Sequence, residues 1–256
     1  MTSDGRACIA ALRRPADDPR LERVFSIDLA LLGLPGLTAS ARLLDVGCGA
    51  GRHEIAAARL PIATVGCDIN RKDLALGRYF VHESPGIARR VEWLQGSGTH
   101  LPFASAAFDA VICSETLEHV ADDERVLREL HRVVRSGGRL GVSVPAAGTE
   151  RLLWRLAPQV RQAPGGHLRI YRQAELLAKL RATGWQPYAV RHRHAFESIY
   201  WLLGAVCGGG EPPPRPARAW RKLLISRAGR MRWFDRFERV FARRFGKSLV
   251  IYARAA

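Results

Sequence analysis

A glycine-rich turn between an apolar run and a helical segment is the feature that most restricts the fold of this chain. Arg42 to Gly47 (RLLDVG) is nearly continuously apolar, and Gly47, Gly49 and Gly51 then form a G-x-G-x-G turn that opens a helical pattern. Apolar runs without polar alternation are typical of strands that are buried on both faces of a sheet. We therefore expect a parallel sheet that is built from strand, turn and helix units.

The same alternation of short apolar runs and helical patterns continues along the chain. The predicted strands are Arg42–Gly47, Ala63–Asp68, Val91–Gln95, Phe108–Cys113, Arg139–Val144, Trp185–Val190 and Ser248–Ala253. The predicted helices of this part are Arg52–Arg59, Arg71–His82, Asp122–Arg135 and Gln173–Thr183. This order predicts an α/β fold, a doubly wound Rossmann-like sheet of seven strands.

The chain is divided as follows on its sequence pattern. Residues 1–40 are interpreted as an N-terminal helical segment, and residues 41–256 as one α/β domain, which its length of 256 residues allows. Within this domain, residues 146–170 are predicted to be an irregular lid connection. Residues 192–246 are predicted to be a basic amphipathic helical insertion before the last strand, and their GGGEPPPRP segment (208–216) is predicted to be a loop.

Positive charge is concentrated in the C-terminal part of the chain. The net charge is +16, and residues 146–256 carry 22 of the 40 basic side chains but only 6 of the 24 acidic ones. In the same region Phe234, Phe237, Phe241 and Phe245 recur at helical spacing. This amphipathic pattern fits a helix that covers the sheet, attachment to an anionic membrane surface, or a phosphate-binding footprint for nucleic acid.

The cysteines and the hydropathy of the chain indicate the cellular compartment in which the protein is found. The five cysteines are odd in number, include no C-x-x-C pair, and are interpreted as buried thiols of a reducing compartment: Cys8, Cys48, Cys67, Cys113 and Cys207. The N-terminus lacks the apolar core of a signal peptide, and no run approaches the roughly 20 apolar residues of a spanning helix. We expect a cytoplasmic protein, with the basic C-terminal region as the candidate for peripheral membrane contact.

Two acids accompany the glycine turn. Asp45 precedes it, and Asp68 ends the second predicted strand, where a carboxylate can accept both hydrogens of a ribose diol. A dinucleotide site and an adenosyl site are the two alternatives. The adenosyl site is favoured, because Asp45 would repel a pyrophosphate but attract a cationic sulfonium cofactor.

Residues 42–190 resemble the class I S-adenosylmethionine-dependent methyltransferases, specifically the small-molecule, type 11 family. The resemblance lies in LLDVGCGAGRH, VGCDIN, the LPF of Leu101 to Phe103, FDAVICSETLEHV and RELHRVVRSGGRLGVSVP. It implies S-adenosylmethionine as cofactor and an antiparallel last strand, which corresponds to Ser248–Ala253.

The resemblance also assigns cofactor contacts. Asp45 and the backbone from Gly47 to Gly51, which includes Cys48 and Gly49, would hold the methionine part. Asp68 would bind the ribose hydroxyls, Ile69 would cover one face of adenine, and Ser114 and Glu115 would line the cofactor edge. The family commonly has an acid near the adenine amine, whereas this chain has Ser97 and Gly98 there. We expect this segment still to contact adenine, through a weaker acceptor.

A general base is needed only if the methyl acceptor is a hydroxyl or a similar acid. His119, His167 and Tyr171 are the predicted catalytic residues, and His100 is a further candidate. Arg169 could either contact the acceptor or have a structural role. His192 and His194 are interpreted as exposed residues at the end of a strand.

The segment that contains His119 could bind a metal ion instead of supplying a general base. Glu115, Glu118 and His119 match the E-x-x-E-H spacing of quinone-ring O-methyltransferases, where this cluster holds a divalent metal. The L-E-H-V sequence also occurs in relatives in which no metal is implied, so a site without a metal is preferred.

The predicted activity is methyl transfer from S-adenosylmethionine to oxygen or carbon of a small acceptor that is lipophilic or associated with a membrane. The alternative is a methyltransferase for RNA or another nucleic acid that uses the basic C-terminal region. The fourth predicted strand runs into CSETLEHV and not into the [DNS]-P-P-[YF] motif of base-amine methylation, which disfavours this alternative.

Overall fold

The computed structural model describes residues 26–82, 90–156, 166–207, 213–225 and 232–256. The strands are β1 (Arg42–Val46), β2 (Ala63–Asp68), β3 (Val91–Gln95), β4 (Phe108–Ser114), β5 (Val134–Pro145), β6 (Trp185–Arg193) and β7 (Ser248–Ala255). The helices are α1 (Arg52–Ala57), α2 (Arg71–His82), α3 (Asp123–Val133), α4 (Ala147–Leu156), α5 (Gln173–Ala182), α6 (Ala195–Val206), α7 (Arg215–Ile225) and α8 (Arg232–Phe245). Short 3₁₀ turns cover Leu34–Gly36 and Leu117–His119.

All seven strands form one sheet in the order β3-β2-β1-β4-β5-β7-β6. Strands β1 to β5 run parallel, and β7 pairs antiparallel with both β5 and β6. The predicted fold class, including the antiparallel last strand, is confirmed. Four of the five residues of β1 are buried, which explains why its sequence shows no polar alternation.

Each face of the sheet is covered by its own apolar layer. One layer packs Leu127 and Leu130 of α3 and Leu176 of α5 against the strands, together with Trp185 at the start of β6. The opposite layer includes Ile27 and other residues of the 26–40 segment, which forms turns and a 3₁₀ turn. The predicted N-terminal helix is therefore absent from residues 26–40, and residues 1–25 lie outside the described part.

Several local predictions were wrong. The lid connection, predicted to be irregular, contains α4, and α7 begins at Arg215, inside the segment that was predicted to be a loop. Cys207 is exposed, not buried, and Cys8 lies outside the described residues. His194 is buried at the start of α6, because it leaves the edge of β6 and its ring packs near Ser248.

The carboxyl ends of β1, β2, β4 and β5 lie at the same edge of the sheet, because these strands are parallel. The segments that follow them carry most of the predicted site residues. In doubly wound folds this edge is where ligands bind. Between β6 and β7 the described chain contributes α6, α7 and α8, and none of its helices is long and apolar enough to cross a membrane.

Candidate active site

The glycine turn after β1 combines tight packing with one open side. Gly47 and Gly51 adopt left-handed backbone conformations, with φ of 74° and 80°. A Cβ on Gly47 would lie 2.2 Å from Thr116 Oγ1, and one on Gly51 would lie 1.9 Å from the Trp93 ring. A Cβ on Gly49 would meet no described atom within 4 Å, so this residue turns its backbone toward open space.

Asp45 lies beneath the turn and is almost completely buried. Its Oδ2 is 3.0 Å from Nδ1 of His53, and its Oδ1 has no hydrogen-bond partner among the described residues. Burial lowers the pKa of His53, so the neutral imidazole can donate from Nδ1 to the carboxylate. The carboxylate therefore supports the turn from below through Oδ2, and the predicted contact of Asp45 with the cofactor stays a prediction.

Asp68 joins the glycine turn to the end of β2. Its Oδ2 accepts a hydrogen bond of 2.8 Å from the Gly49 N–H, and its Oδ1 accepts one of 2.8 Å from the Asn70 N–H. Each carboxylate oxygen retains a lone pair for a further donor. The neighbouring Ile69 is 71% exposed, which is unusual for a large aliphatic side chain and leaves an apolar surface beside Asp68.

The predicted adenine segment forms a polar turn after β3. The Ser97 hydroxyl lies 2.9 Å from Thr99 Oγ1 and also accepts a longer hydrogen bond from the Thr99 N–H. Ser97 is exposed, and a Cβ on Gly98 would lie 3.0 Å from Val46, at the end of β1. The segment therefore lies beside the glycine turn, with its serine hydroxyl held by a local bond.

Ser114 and Glu115 lie at the carboxyl end of β4, as expected for the cofactor edge. Ser143 of β5 joins them, since its hydroxyl lies 2.9 Å from Ser114 Oγ and donates to Glu115 Oε1 at 3.0 Å. Glu115 has a φ of 51°, a strained conformation for a residue with a side chain. Arg52 of α1 also reaches Ser114, at 3.2 Å; the sequence interpretation missed it, although it directly follows Gly51.

Burial raises the pKa of two acidic groups near the turn. The pKa of Glu54 is raised well above its usual range by burial and by the nearby charge of Asp45. The pKa of the Cys48 thiol is also raised, mainly by burial and then by Glu54. Cys48 is therefore a buried packing residue that contributes backbone to the turn, in agreement with its predicted place between two glycines.

A second group of residues, which we name the acceptor-side cluster, follows the cofactor edge along the chain. It consists of Glu118 and His119 in the 3₁₀ turn after β4, His167 before α5, and Glu150 of α4. One donor atom each from Glu118, His119 and His167 lies within 4.8 Å of the others. Nδ1 of His167 is 2.6 Å from Glu150 Oε1, and the rings of His119 and His167 pack edge to face at 4.9 Å.

The structure thus brings the two predicted catalytic histidines together and adds Glu150, which no motif in the sequence indicated. Of the three candidate metal ligands, Glu118 and His119 belong to this group. Glu115 does not belong to it, and its Oε1 accepts a hydrogen bond from Ser143. His167 takes its place in the cluster.

The segment from His167 to Tyr171 docks onto the turn after β4. The Leu168 N–H donates to the Glu118 carbonyl at 2.8 Å, and Arg169 pairs with Asp123 at 2.7 Å. The Tyr171 hydroxyl is buried and donates to Asp123 Oδ2 at 2.5 Å. Burial and this hydrogen bond both raise the pKa of Tyr171. Arg169 and Tyr171 therefore have structural positions, and the predicted catalytic role of Tyr171 does not fit its burial.

His100 lies apart from the acceptor-side cluster. Its ring contacts Thr99 and the Arg125 guanidinium in the exposed turn after β3. No described contact joins it to His119 or His167, so His100 does not belong to the acceptor-side cluster.

Comparison with known proteins places this geometry in a family. A sequence profile described as a methyltransferase domain matches residues 44–142. The demethylmenaquinone methyltransferase of Mycolicibacterium vanbaalenii is 32% identical over 189 residues, which cover 66% of this chain and 78% of that protein. The chain belongs to the S-adenosylmethionine-dependent methyltransferases. Its type 11, class I assignment follows from the same matches and confirms the resemblance seen in the sequence.

Other relatives of this methyltransferase differ in length and name. The 27-O-demethylrifamycin SV methyltransferase of Amycolatopsis mediterranei is 30% identical, over 68% of this chain and 65% of that protein. The chain spans as little as 38% of another curated relative. A solved geranyl diphosphate methyltransferase in complex with S-adenosylmethionine shares the fold, with a TM-score of 0.59 and 18% identity over 96% of this chain and 93% of that one.

The residues of this methyltransferase fit S-adenosylmethionine. Gly49 leaves room for a ligand against the backbone, Asp68 retains acceptor capacity for two hydroxyls, and Ile69 offers an exposed apolar face for a flat ring. Ser114, Glu115 and Arg52 complete the polar wall on the β4 side. The cofactor contacts expected at Gly47, Gly49, Gly51, Asp68, Ile69, Ser114 and Glu115 stay predictions, with which this arrangement is compatible at Gly49, Asp68 and Ile69.

Proposed function

We propose that this protein transfers the methyl group of S-adenosylmethionine to oxygen or carbon of a small, lipophilic acceptor. The observation that carries this proposal is the position of the acceptor-side cluster, which begins at Glu118, three residues after Glu115 at the cofactor edge. Direct methyl transfer requires that the site of the methyl donor and the site of the acceptor adjoin each other, and turns that follow one another along the chain allow this.

The protein contributes position and proton handling to this reaction. When bound, S-adenosylmethionine supplies a methyl group that its sulfonium already activates. The glycine turn, Asp68 and Ile69 would fix that donor, and His119 and His167 would bind the polar end of the acceptor. Holding donor and acceptor in line is worth up to roughly 7 to 11 kcal/mol. With a hydroxyl acceptor, the oxygen would take the methyl group, the thioether of S-adenosylhomocysteine would be the leaving group, and the hydroxyl proton would pass to an imidazole of the cluster. With a carbon acceptor, the proton to be removed would be the one on the methylated carbon.

Apolar side chains near the C-terminal helices support a lipophilic acceptor. Helix α4, which carries Glu150, packs against α6 and α8. These helices carry large apolar side chains that are at least one third exposed: Leu152, Leu156, Trp201, Val206, Phe237, Val240, Phe241 and Phe245. The relatives named for demethylmenaquinone and 27-O-demethylrifamycin SV support a small-molecule acceptor in the same way.

Contact with an anionic membrane is part of this proposal. Exposed arginines lie on the same helices as the apolar residues, among them Arg218 of α7 and Arg236, Arg243 and Arg244 of α8. An apolar face bordered by arginines suits the interface of an anionic bilayer, where each arginine contributes about 1 kcal/mol. Flotation should therefore carry the protein with anionic vesicles and not with neutral ones. Recovery of all the protein in the unbound fraction would remove membrane contact from the proposal.

The acceptor class is tested by methyl transfer from labelled S-adenosylmethionine to a cell extract that is then separated into lipid, RNA, protein and small polar fractions. We expect label in the fraction that an organic solvent extracts, and none when the Asp68→Asn variant replaces the wild type. Label confined to RNA would favour the nucleic-acid alternative. Label in the small polar fraction would support a small acceptor but would contradict the proposal that this acceptor is lipophilic.

A further inference from the structure

Three donor side chains of different type converge beside the cofactor edge. Glu118 and His119 are consecutive in the 3₁₀ turn after β4, and His167 comes from the segment before α5. The Leu168 N–H, which bonds to the Glu118 carbonyl, fixes the two segments against each other. Convergence of these donors is thus held by the backbone and not only by side-chain rotamers.

The Glu118 carboxylate lacks the partners that a buried carboxylate needs. Its side chain is 0% exposed, and neither oxygen has a hydrogen-bond partner among the described residues. The nearest donor in the cluster, Nε2 of His119, is 3.9 Å from Oε1. A buried carboxylate without hydrogen bonds is costly, and a cation at this point would remove that cost.

His167 is held as a metal-ligating histidine is usually held. Oε1 of Glu150, which is itself buried, lies 2.6 Å from Nδ1 of His167. A carboxylate accepts, so Nδ1 carries a proton, and in the neutral imidazole the lone pair is then on Nε2. Metal-bound histidines commonly donate their second ring N–H to a carboxylate in this way, which fixes the ring and raises its basicity.

We propose that Glu118, His119 and His167 bind a divalent transition-metal ion, with Glu150 as the residue that orients His167. Two imidazoles and one carboxylate suit Zn²⁺, Mn²⁺, Fe²⁺ or Co²⁺ better than Mg²⁺, which prefers oxygen ligands. Ligands of one such ion lie about 2.0 to 2.2 Å from it. The donor atoms must therefore approach one another, and rotation of His119, whose side chain is 40% exposed, allows this.

Three protein ligands would leave coordination positions open for an acceptor oxygen. An ion at this point could bind that oxygen and lower its pKa, and the hydroxyl proton would then leave to water, because His119 and His167 would be occupied as ligands. This inference rests on the proposed function for its purpose, but the existence of the site does not depend on it. It differs from the ligand set suggested by sequence spacing, because His167 replaces Glu115.

Binding of Co²⁺ to chelator-treated full-length protein tests the site without any activity assay. We expect one equivalent to bind, with the visible absorption of a nitrogen- and oxygen-ligated ion. Glu118→Gln, which keeps the shape of the side chain, and His167→Ala should each weaken binding at least tenfold. His192→Ala is the matched control, because His192 lies on β6 outside the cluster, and it should bind as the wild type does.

The contradicting results are equally specific. Absence of stoichiometric Co²⁺ binding to the wild type, or wild-type affinity in the folded His167→Ala variant, would overturn the metal site. Calorimetry with S-adenosylmethionine on the same samples separates this failure from failure of the proposed function. If the protein binds the cofactor but no metal, only the proposed metal site is contradicted. If it does not bind the cofactor, the proposed methyl transfer is contradicted.

Discussion

Glu150 and His167, 17 residues apart in the sequence, meet at 2.6 Å through Oε1 and Nδ1. This pair connects α4 with the segment before α5 and directs Nδ1 of His167 toward Glu150. No sequence motif indicated it, because α4 was predicted to be irregular and the pairing arises only when both segments pack at the edge of the sheet.

Replacement of Glu150 by Gln should loosen this orientation. We expect the Glu150→Gln variant to bind Co²⁺ 10 to 100 times more weakly than the wild type, as is usual when the partner of a metal-bound histidine is changed. Glu175→Gln on α5 is the control, since Glu175 lies outside the cluster. Equal Co²⁺ affinity in Glu150→Gln and the wild type would show that Glu150 does not position His167.

Tyr171 is expected to stabilise the fold and not to take part in the reaction. The Tyr171→Phe variant loses the buried hydrogen bond to Asp123, which should lower the free energy of unfolding by about 1.5 to 3 kcal/mol. Urea denaturation measures this loss, while kcat below the unfolding transition should change less than twofold. A tenfold fall in kcat with unchanged stability would instead give Tyr171 the catalytic role that its sequence position suggested.

Stability in acid should depend on Glu129. Its two oxygens bind the Arg132 guanidinium and the Leu101 N–H, and chiefly the Arg132 contact lowers the pKa of Glu129 from 4.5 to about 2. A lowered carboxyl pKa stabilises the folded state above pH 4.5, and this stabilisation is lost as the pH falls from 4.5 toward 2.

The Glu129→Gln variant tests that dependence. Because the carboxylate is partly solvated, we expect it to lose about 1 kcal/mol at pH 7 and to show a smaller further loss between pH 5 and pH 3 than the wild type. Chemical denaturation at several pH values gives both quantities. Parallel stability curves for the two proteins would contradict the assignment.

We expect substitution of Ser97 by Asp to raise the affinity of the protein for S-adenosylmethionine. Ser97→Asp restores the acid that is common in the family, and a carboxylate accepts a hydrogen bond from the adenine amine more strongly than a hydroxyl does. We expect S-adenosylmethionine to bind about three to ten times more tightly, which corresponds to about 1 kcal/mol. Ser97→Ala combined with Gly98→Ala should weaken binding. If calorimetry shows no change in any of these variants, the segment does not contact adenine.

The sheet and the cofactor edge were predictable because their signals are local. Strands β2 and β3 and helix α2 match the predicted bounds residue by residue, since each is a short apolar or amphipathic run that is bounded by polar residues or breakers. The glycine turn and Asp68 have fixed roles in such a fold, so their positions also followed from the sequence.

The errors arise where tertiary packing decides the outcome. The burial of Asp45 was not evident from the sequence, because it depends on helix α1, which covers the residue and brings His53 to its carboxylate. Tyr171 was predicted to be a base, yet docking of its segment buries the hydroxyl against Asp123. His167 stands in place of Glu115 in the candidate metal set because its segment docks onto the turn that carries Glu118.

Calorimetric titration of the wild type and the Asp68→Asn variant with S-adenosylmethionine tests the central claim most directly. Asp68→Asn keeps an oxygen for the Gly49 N–H but loses the charge and one of the acceptors that we expect to bind the ribose. The cofactor should therefore bind one to one to the wild type and about 10 to 100 times more weakly to the variant. Asp109→Asn, at the opposite end of the sheet beside Arg42, should bind like the wild type. Absence of binding to the folded wild type, or equal affinity in Asp68→Asn, would contradict the account.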